Sequence, residues 1–380
     1  MPEYRSPGVY IEEVPSGARP IERVATDVAG FVGLAESGPT TPQRITSWSA
    51  FHRTYGGHID ESYLSRAVEG FFLNGGRQCW IARVVPSHSR ARVADYLADP
   101  AAPAGSRTGL AALAEIDDIA LLSVPDEVRR EPVDLRPITG EVIDWCERLG
   151  DRFALVSALA GQRDPATLSP PRNSSHAAFY YPWIQVDDAA TGRLHIPPTG
   201  HVAGVFARTD LTRGVHKAPA GELVRGAAGL ELPVTTATQE LLNPRGVNCL
   251  RDFRDSGRGI VVWGARTMSS DPEWRYIAVR RLALMIEKSI DKGTEWVVFE
   301  PNDEPLWASL VTSLGAFLIN LWRDGALQGT QPDEAFFVRC DRTTMTASDI
   351  AEGRLIWLVG FAPLKPAEFV ILRMEKKLGS

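Results

Sequence analysis

Ile119-Ala-Leu-Leu-Ser-Val124 and Phe153-Ala-Leu-Val-Ser157 stand on either side of a helical segment near Ile138–Leu149. Both runs are apolar almost throughout, the pattern of strands buried on two faces, and parallel strands need a crossover of this kind between them. Phe179-Tyr-Tyr-Pro-Trp-Ile-Gln-Val186 reads as a further strand. The stretch 116–186 therefore predicts βαβ units and a largely parallel sheet, which sets the fold class as α/β, or mixed α+β.

Toward the N-terminus, Val28-Ala-Gly-Phe-Val-Gly-Leu34 and Cys79-Trp-Ile-Ala-Arg-Val-Val85 extend the same pattern. Between them, Asp60 to Asn74 reads as a helix with Leu64, Val68, Phe71 and Phe72 on one face, stopped by Gly75-Gly76. Residues 86–109, rich in Ala, Pro, Ser and Arg, read as a surface excursion.

Toward the C-terminus, residues 187–260 read as loops with short strands, being rich in Gly, Pro and Thr. A compact unit follows. Gly259-Ile-Val-Val-Trp263 is a strand, and Trp274–Lys292 a helix with Val279, Leu282, Ile286 and Ile290 on one face and Gly293 as its stop. Trp296-Val-Val-Phe299 is read as another strand. A helix then runs from about Glu304 to Asp324, capped by Asn302 or Asp303, with Pro305 in its first turn and Gly325 at its close. Trp307, Leu310, Val311, Leu314, Phe317, Leu318 and Leu321 give it a wide apolar face. Phe336-Phe-Val338 and Ile356-Trp-Leu-Val359 are strands.

Each end of the chain carries a strand with nothing beside it in sequence. Val9, Tyr10 and Ile11 lie between Pro7-Gly8 and Pro15-Ser-Gly17, and Glu368-Phe-Val-Ile-Leu-Arg-Met374 follows Pro363 and Pro366. Such strands need a sheet to join. Pairing within the same chain and pairing with another chain are both open at this point.

The 380 residues allow two domains, or one with a large insertion. Composition is that of a soluble globular protein, 44% hydrophobic and 23% charged, with a formal charge of −6 from 41 basic and 47 acidic residues. That mild acidity argues against a general nucleic-acid binder. No apolar run approaches the ~20 residues needed to span a bilayer, so no membrane insertion is expected. Met1-Pro-Glu-Tyr-Arg5 lacks the build of a signal peptide, which predicts folding in the cytoplasm. Cys79, Cys146, Cys249 and Cys340 are scattered and read as small buried apolar residues.

Chemistry-bearing motifs are weak. Gly257-Arg-Gly259 precedes a strand instead of following one, the wrong order for a phosphate cradle. The seven histidines form no zinc spacing. Ser174-Ser175-His176 has no nucleophile elbow. The acidic pairs Asp117-Asp118, Asp187-Asp188 and Asp303-Glu304 consist of adjacent residues that point in different directions. No catalytic residue, no metal site and no cofactor is expected.

Three blocks of sequence resemble the sheath proteins of contractile phage tails, R-type bacteriocins and extracellular contractile injection systems. The first is Tyr4-Arg-Ser-Pro-Gly-Val-Tyr-Ile-Glu-Glu-Val14 followed by the strand at 26–33. The second runs from Trp274-Arg-Tyr-Ile-Ala-Val-Arg-Arg281 through Ile286-Glu-Lys-Ser289 to Trp296-Val-Val-Phe-Glu-Pro-Asn-Asp303 and Leu306-Trp307. The third spans Gly325–Gly329, Ala335–Asp341, Gly353-Arg354 and Gly360–Val370. They occur in the family's order and cover most of 1–85 and 259–374.

The resemblance implies a helical homo-oligomer of many copies around an inner tube protein, with baseplate and terminal cap proteins as further partners and no nucleic acid. It implies an N-terminal arm (1–20), an outer domain (21–255) with a variable middle, an inner domain facing the tube (256–364) and a C-terminal arm (365–380). The arms would donate strands to neighbouring subunits, through Val9, Tyr10 and Ile11 at one end and Phe369, Val370, Ile371 and Leu372 at the other. Pro15, Gly17 and Pro366 would be hinges, and Arg323 and Asp324 would meet the tube. Assembly in the cytoplasm would be followed by life in a virion tail or tail-like particle. Other tail or baseplate proteins, and an α/β enzyme built on the 116–186 sheet, are the alternatives.

Overall fold

In the computed structural model, which describes residues 19–364 and 370–377 apart from 98, 100, 104, 132 and 189–191, the apolar runs become the inner strands of one sheet. Two units separate. The larger takes in Arg23–Lys288 and Ala362–Val370, and the smaller Ser289–Phe361 with the segments before 23 and after 370. Residues 256–288, grouped with the inner domain by the sequence reading, cluster here with the larger unit.

In the larger unit the strands are β1 (Ala29–Leu34), β2 (Gln43–Ile45), β3 (Cys79–Val84), β4 (Leu121–Ser123), β5 (Phe153–Ser157), β6 (Ala177–Tyr181), β7 (Ile184–Asp188), β8 (Gly192–Ile196), β9 (Gly229–Leu230), β10 (Val247–Asp252) and β11 (Ile260–Trp263). Eight form a sheet in the order β11-β10-β6-β5-β4-β1-β3-β2. The inner six are parallel, and β11 and β2 close the two edges antiparallel. Burial on both faces explains the lack of alternation. Along β5, Phe153 and Leu155 join one core while Ala154 and Val156 join the core on the other face. β8, β7 and β9 make a separate antiparallel sheet.

Several sequence readings are corrected here. Residues 187–260 contain a helix, Thr199–Arg213, in which every residue from Thr199 to Ala207 is buried. A helix buried all round has no polar face to announce it, and its Gly and Ala content mimics a loop. Those glycines serve close packing against the helix Leu64–Leu73. A Cβ on Gly204 would lie 2.4 Å from the Phe71 carbonyl oxygen, and one on Gly200 would lie 2.3 Å from Ala67 Cα. The supposed single strand Phe179–Val186 breaks at Pro182, after a cis Tyr181–Pro182 bond, into β6 and β7 of different sheets. The 86–109 excursion also contributes to the core. Tyr96, in the helix Val93–Leu97, is fully buried and donates its hydroxyl to Asp126 Oδ2 at 2.8 Å.

In the smaller unit, Trp296–Phe299 is not a strand. Residues Glu295–Val297 form a 3-10 turn, and local bonds from Val297 N to Thr294 O, Val298 N to Glu295 O and Glu300 N to Val297 O consume the backbone groups a ladder would need. The helix Glu304–Arg323 is as read, with Asp303 as its cap, accepting from Leu306 N at 3.1 Å. An 18-residue window of this helix has a mean hydropathy of 1.4, so by length and composition it is apolar enough to cross a membrane, contrary to the sequence reading. Here Leu306, Leu310, Leu314, Phe317, Leu318 and Leu321 are buried. The strands of this unit are β12 (Phe336–Arg339), β13 (Arg354–Phe361) and β14 (Val370–Lys377), in that sheet order. All four cysteines are buried and unbridged, as expected.

Candidate functional site

The smaller unit gathers the described ends of the chain. β12 and β13 pair antiparallel with Phe337 opposite Gly360. A Cβ on Gly360 would lie 2.2 Å from the Phe337 ring, so glycine is what lets that ring lie across the sheet. Leu355, Ile356, Trp357, Val359 and Phe361 bury β13. The loop before Glu304–Arg323 ties that helix to the sheet. Asn302 Oδ1 accepts from Trp307 Nε1 at 2.8 Å, and Asn302 Nδ2 donates to the Arg354 carbonyl at 3.1 Å. Between β12 and β13, Thr346 and Asp349 cap a short helix reciprocally. Hydrogen bonds from Thr346, and then the Arg354 guanidinium at 2.6 Å, hold the Asp349 carboxyl down to about 2.

β14 lies beside β13, so in the single chain the C-terminal strand completes its own subunit's sheet. Val370, Ile371 and Leu372 fall in β14. Phe369 and Pro366 lie outside the described residues, as do Val9, Tyr10, Ile11, Pro15 and Gly17. Among the described residues β12 forms the other margin of this sheet.

The root of the N-terminal segment is held firmly. Arg19 donates its backbone N–H to Ser313 Oγ at 2.9 Å, stacks its guanidinium 4.4 Å from the Trp296 ring centre and reaches Glu300 Oε1 at 3.9 Å. Ile21 packs against Gly293, leaving no room for a Cβ there. Sequence reasoning passed over Arg19, since nothing local marks it. Arg323 is the last residue of its helix and Asp324 the C-cap, both exposed.

Arg280 and His176 meet in the larger unit. Arg280 lies 2.6 Å from His176 Nε2, and burial, then that positive charge, push His176 down to about 4. The imidazole therefore faces a cation, not a carboxylate that would make it a base. Among the described residues no group of three or more His, Cys, Asp or Glu side chains is placed to hold a metal.

Residues 93–268 match the central domain of phage tail sheath proteins, and residues 269–377 match the phage tail sheath C-terminal domain. The helical sheath of the anti-feeding prophage in its contracted state is 33% identical, covering 98% of this chain and 99% of that one, with a TM-score of 0.77. This chain belongs to the contractile tail sheath family. The sheath subunit is likewise similar to the PVC sheath complex of an extracellular contractile injection system in its contracted state. There the identity is 30%, with 98% of each chain covered and a TM-score of 0.75. The tail sheath protein of Escherichia phage P2 is 22% identical over 399 residues, 97% of this chain and 94% of the phage protein. The sheath subunit is thus a structural component of a phage tail or tail-like particle and not an enzyme, on a mixed α/β fold.

Proposed function

We propose that this sheath subunit polymerises helically around an inner tube, held to its neighbours by exchanged terminal strands, and contracts to drive the tube through a target envelope. The observation that carries the reading is that the small unit holds the root of the N-terminal segment at Arg19 and the C-terminal strand β14 beside β13. β-Augmentation suits such a sheet: main-chain hydrogen bonds supply adhesion and alternate side chains supply register. Each added bond contributes only about 0.5–1.5 kcal/mol net, so strength comes from repetition along the lattice. In the assembly, the seat that β14 takes beside β13 in the single chain is filled by the strand of a neighbour. Val9, Tyr10 and Ile11 supply the strand of the other arm.

Pro15, Gly17 and Pro366 act as hinges, letting rigid subunits turn while strands stay paired, and contraction is a hinge-type transition of a metastable lattice. The driving free energy lies in subunit contacts, and no cofactor is consumed. Baseplate and cap proteins start and end the polymer, Arg323 and Asp324 face the tube, and assembly takes place in the cytoplasm before the particle is released. The test is deletion of residues 1–14, or of everything after Pro366. Each truncated subunit folds and forms no sheath in electron micrographs. Normal sheaths from either one contradict the arm reading.

A further inference from the structure

Phe299 is 81% exposed and holds φ at 75°. Among the described residues it is the one non-glycine residue with a positive φ. That region is sterically disfavoured for any side chain, and for a bulky aromatic it is a genuine outlier. The backbone on each side imposes it. Val297 is fully buried and accepts from Glu300 N at 3.2 Å, while Asn302 is tied to Trp307 and Arg354. The strain returns nothing inside the subunit, because the ring it carries is turned out to water. Glycine would hold the same backbone without strain, so the benefit of the phenyl ring lies outside the single chain.

The surroundings indicate the partner. Arg19, the first described residue and the root of the N-terminal segment, contacts Trp296 and Glu300 on either side of Phe299 in sequence. The chain is a sheath subunit, one of many like copies in a helical assembly, and the described part of its N-terminal segment begins at this surface. We infer that Phe299 is an anchor between subunits, its ring buried in a second copy of this chain at a contact continuous with the root of the N-terminal arm. Interfaces draw most of their strength from a few buried aromatic or Arg side chains, and a rigidly held ring loses little freedom on docking. This inference deepens the proposed function and rests on sheath assembly, not on strand exchange.

The test compares full-length wild type with Phe299→Gly, Phe299→Ala and Phe299→Tyr, and with a chain lacking residues 1–18. Two quantities are read: the thermal midpoint of the unassembled subunit, and the subunit concentration above which polymer sediments. Phe299→Gly keeps or raises the midpoint, since strain is removed and no buried ring is lost, yet raises the threshold about tenfold or more. Phe299→Ala raises the threshold similarly, and Phe299→Tyr stays near wild type. A Gly variant with the wild-type threshold overturns the inference. So does one with a lowered midpoint, because the ring would then serve its own subunit. A loss seen only when inner tube protein is present assigns the ring to the tube and overturns the second-copy assignment. If the Phe299 variants polymerise normally while the chain lacking residues 1–18 fails, this inference alone falls; if both polymerise normally, the arm reading falls with it.

Discussion

Glu127 shows how a single buried group contributes to the response of the subunit to pH. It is almost wholly buried just after β4 and accepts from Ser157 N at 2.9 Å, yet burial pushes its carboxyl up to about 8. The folded state thus binds this proton more tightly than the unfolded chain, whose carboxyl titrates near 4.5. The stabilisation is complete below the unfolded value and is lost as pH rises through about 8. Glu127→Gln is expected to be more stable than wild type at pH 9 by on the order of a few kcal/mol, with a flatter slope between pH 5 and 8, read from urea midpoints. The pair of Arg281 and Asp210 behaves differently. Its two bonds, 2.6 and 3.0 Å, are buried to 3% and 2% side-chain exposure, and Arg281 also donates to the Thr26 carbonyl. Asp210→Asn leaves a buried cation uncompensated and is expected to cost about 3–5 kcal/mol in the same denaturation assay. Neither role was legible beforehand. Arg281 stood inside a family-like block, but its partner lies 71 residues away, and sequence shows no such distance closing. The cysteines were legible because scattered thiols without spacing have one ordinary reading.

At the scale of elements, legibility followed burial geometry. β1, β3, β4 and β5 announced themselves because two-faced burial writes continuous apolar runs, and Glu304–Arg323 because one-faced burial writes a helical stripe. Thr199–Arg213 was hidden because close packing selects glycine and alanine, which local propensity counts against a helix. Trp296–Phe299 failed the other way. Its β-branched and aromatic residues favour a strand, but turn bonds after Thr294 took the backbone first. A paired substitution checks the helix contact. Gly204→Val drives a side chain into the Phe71 carbonyl and is expected to lower stability by about 3 kcal/mol or more, or to prevent folding. Gly140→Ala, in the helix Pro137–Leu149 with open space around it, is expected to gain up to about 1 kcal/mol. Thermal melts of the two variants beside wild type decide the matter; equal effects would show that helix propensity, not backbone contact, governs both.

For the whole molecule, the α/β class and the family could be read from the strand–helix alternation and the three sequence blocks. The function read from them is that of the relatives this chain matches along its length. The partner of each terminal strand could not be read. A strand's period of two says which residues share a face and nothing about whose sheet receives them. In the single chain β14 rests beside β13, and in the proposed assembly the strand of a neighbour replaces it. The most direct measurement is negative-stain electron microscopy of the subunit produced with its inner tube protein, full length beside a chain ending at Pro366. Striated sheaths are expected from the full-length chain, and bare tubes with folded, dispersed subunits from the shortened one. Normal sheaths from the chain without its C-terminal strand would contradict strand exchange.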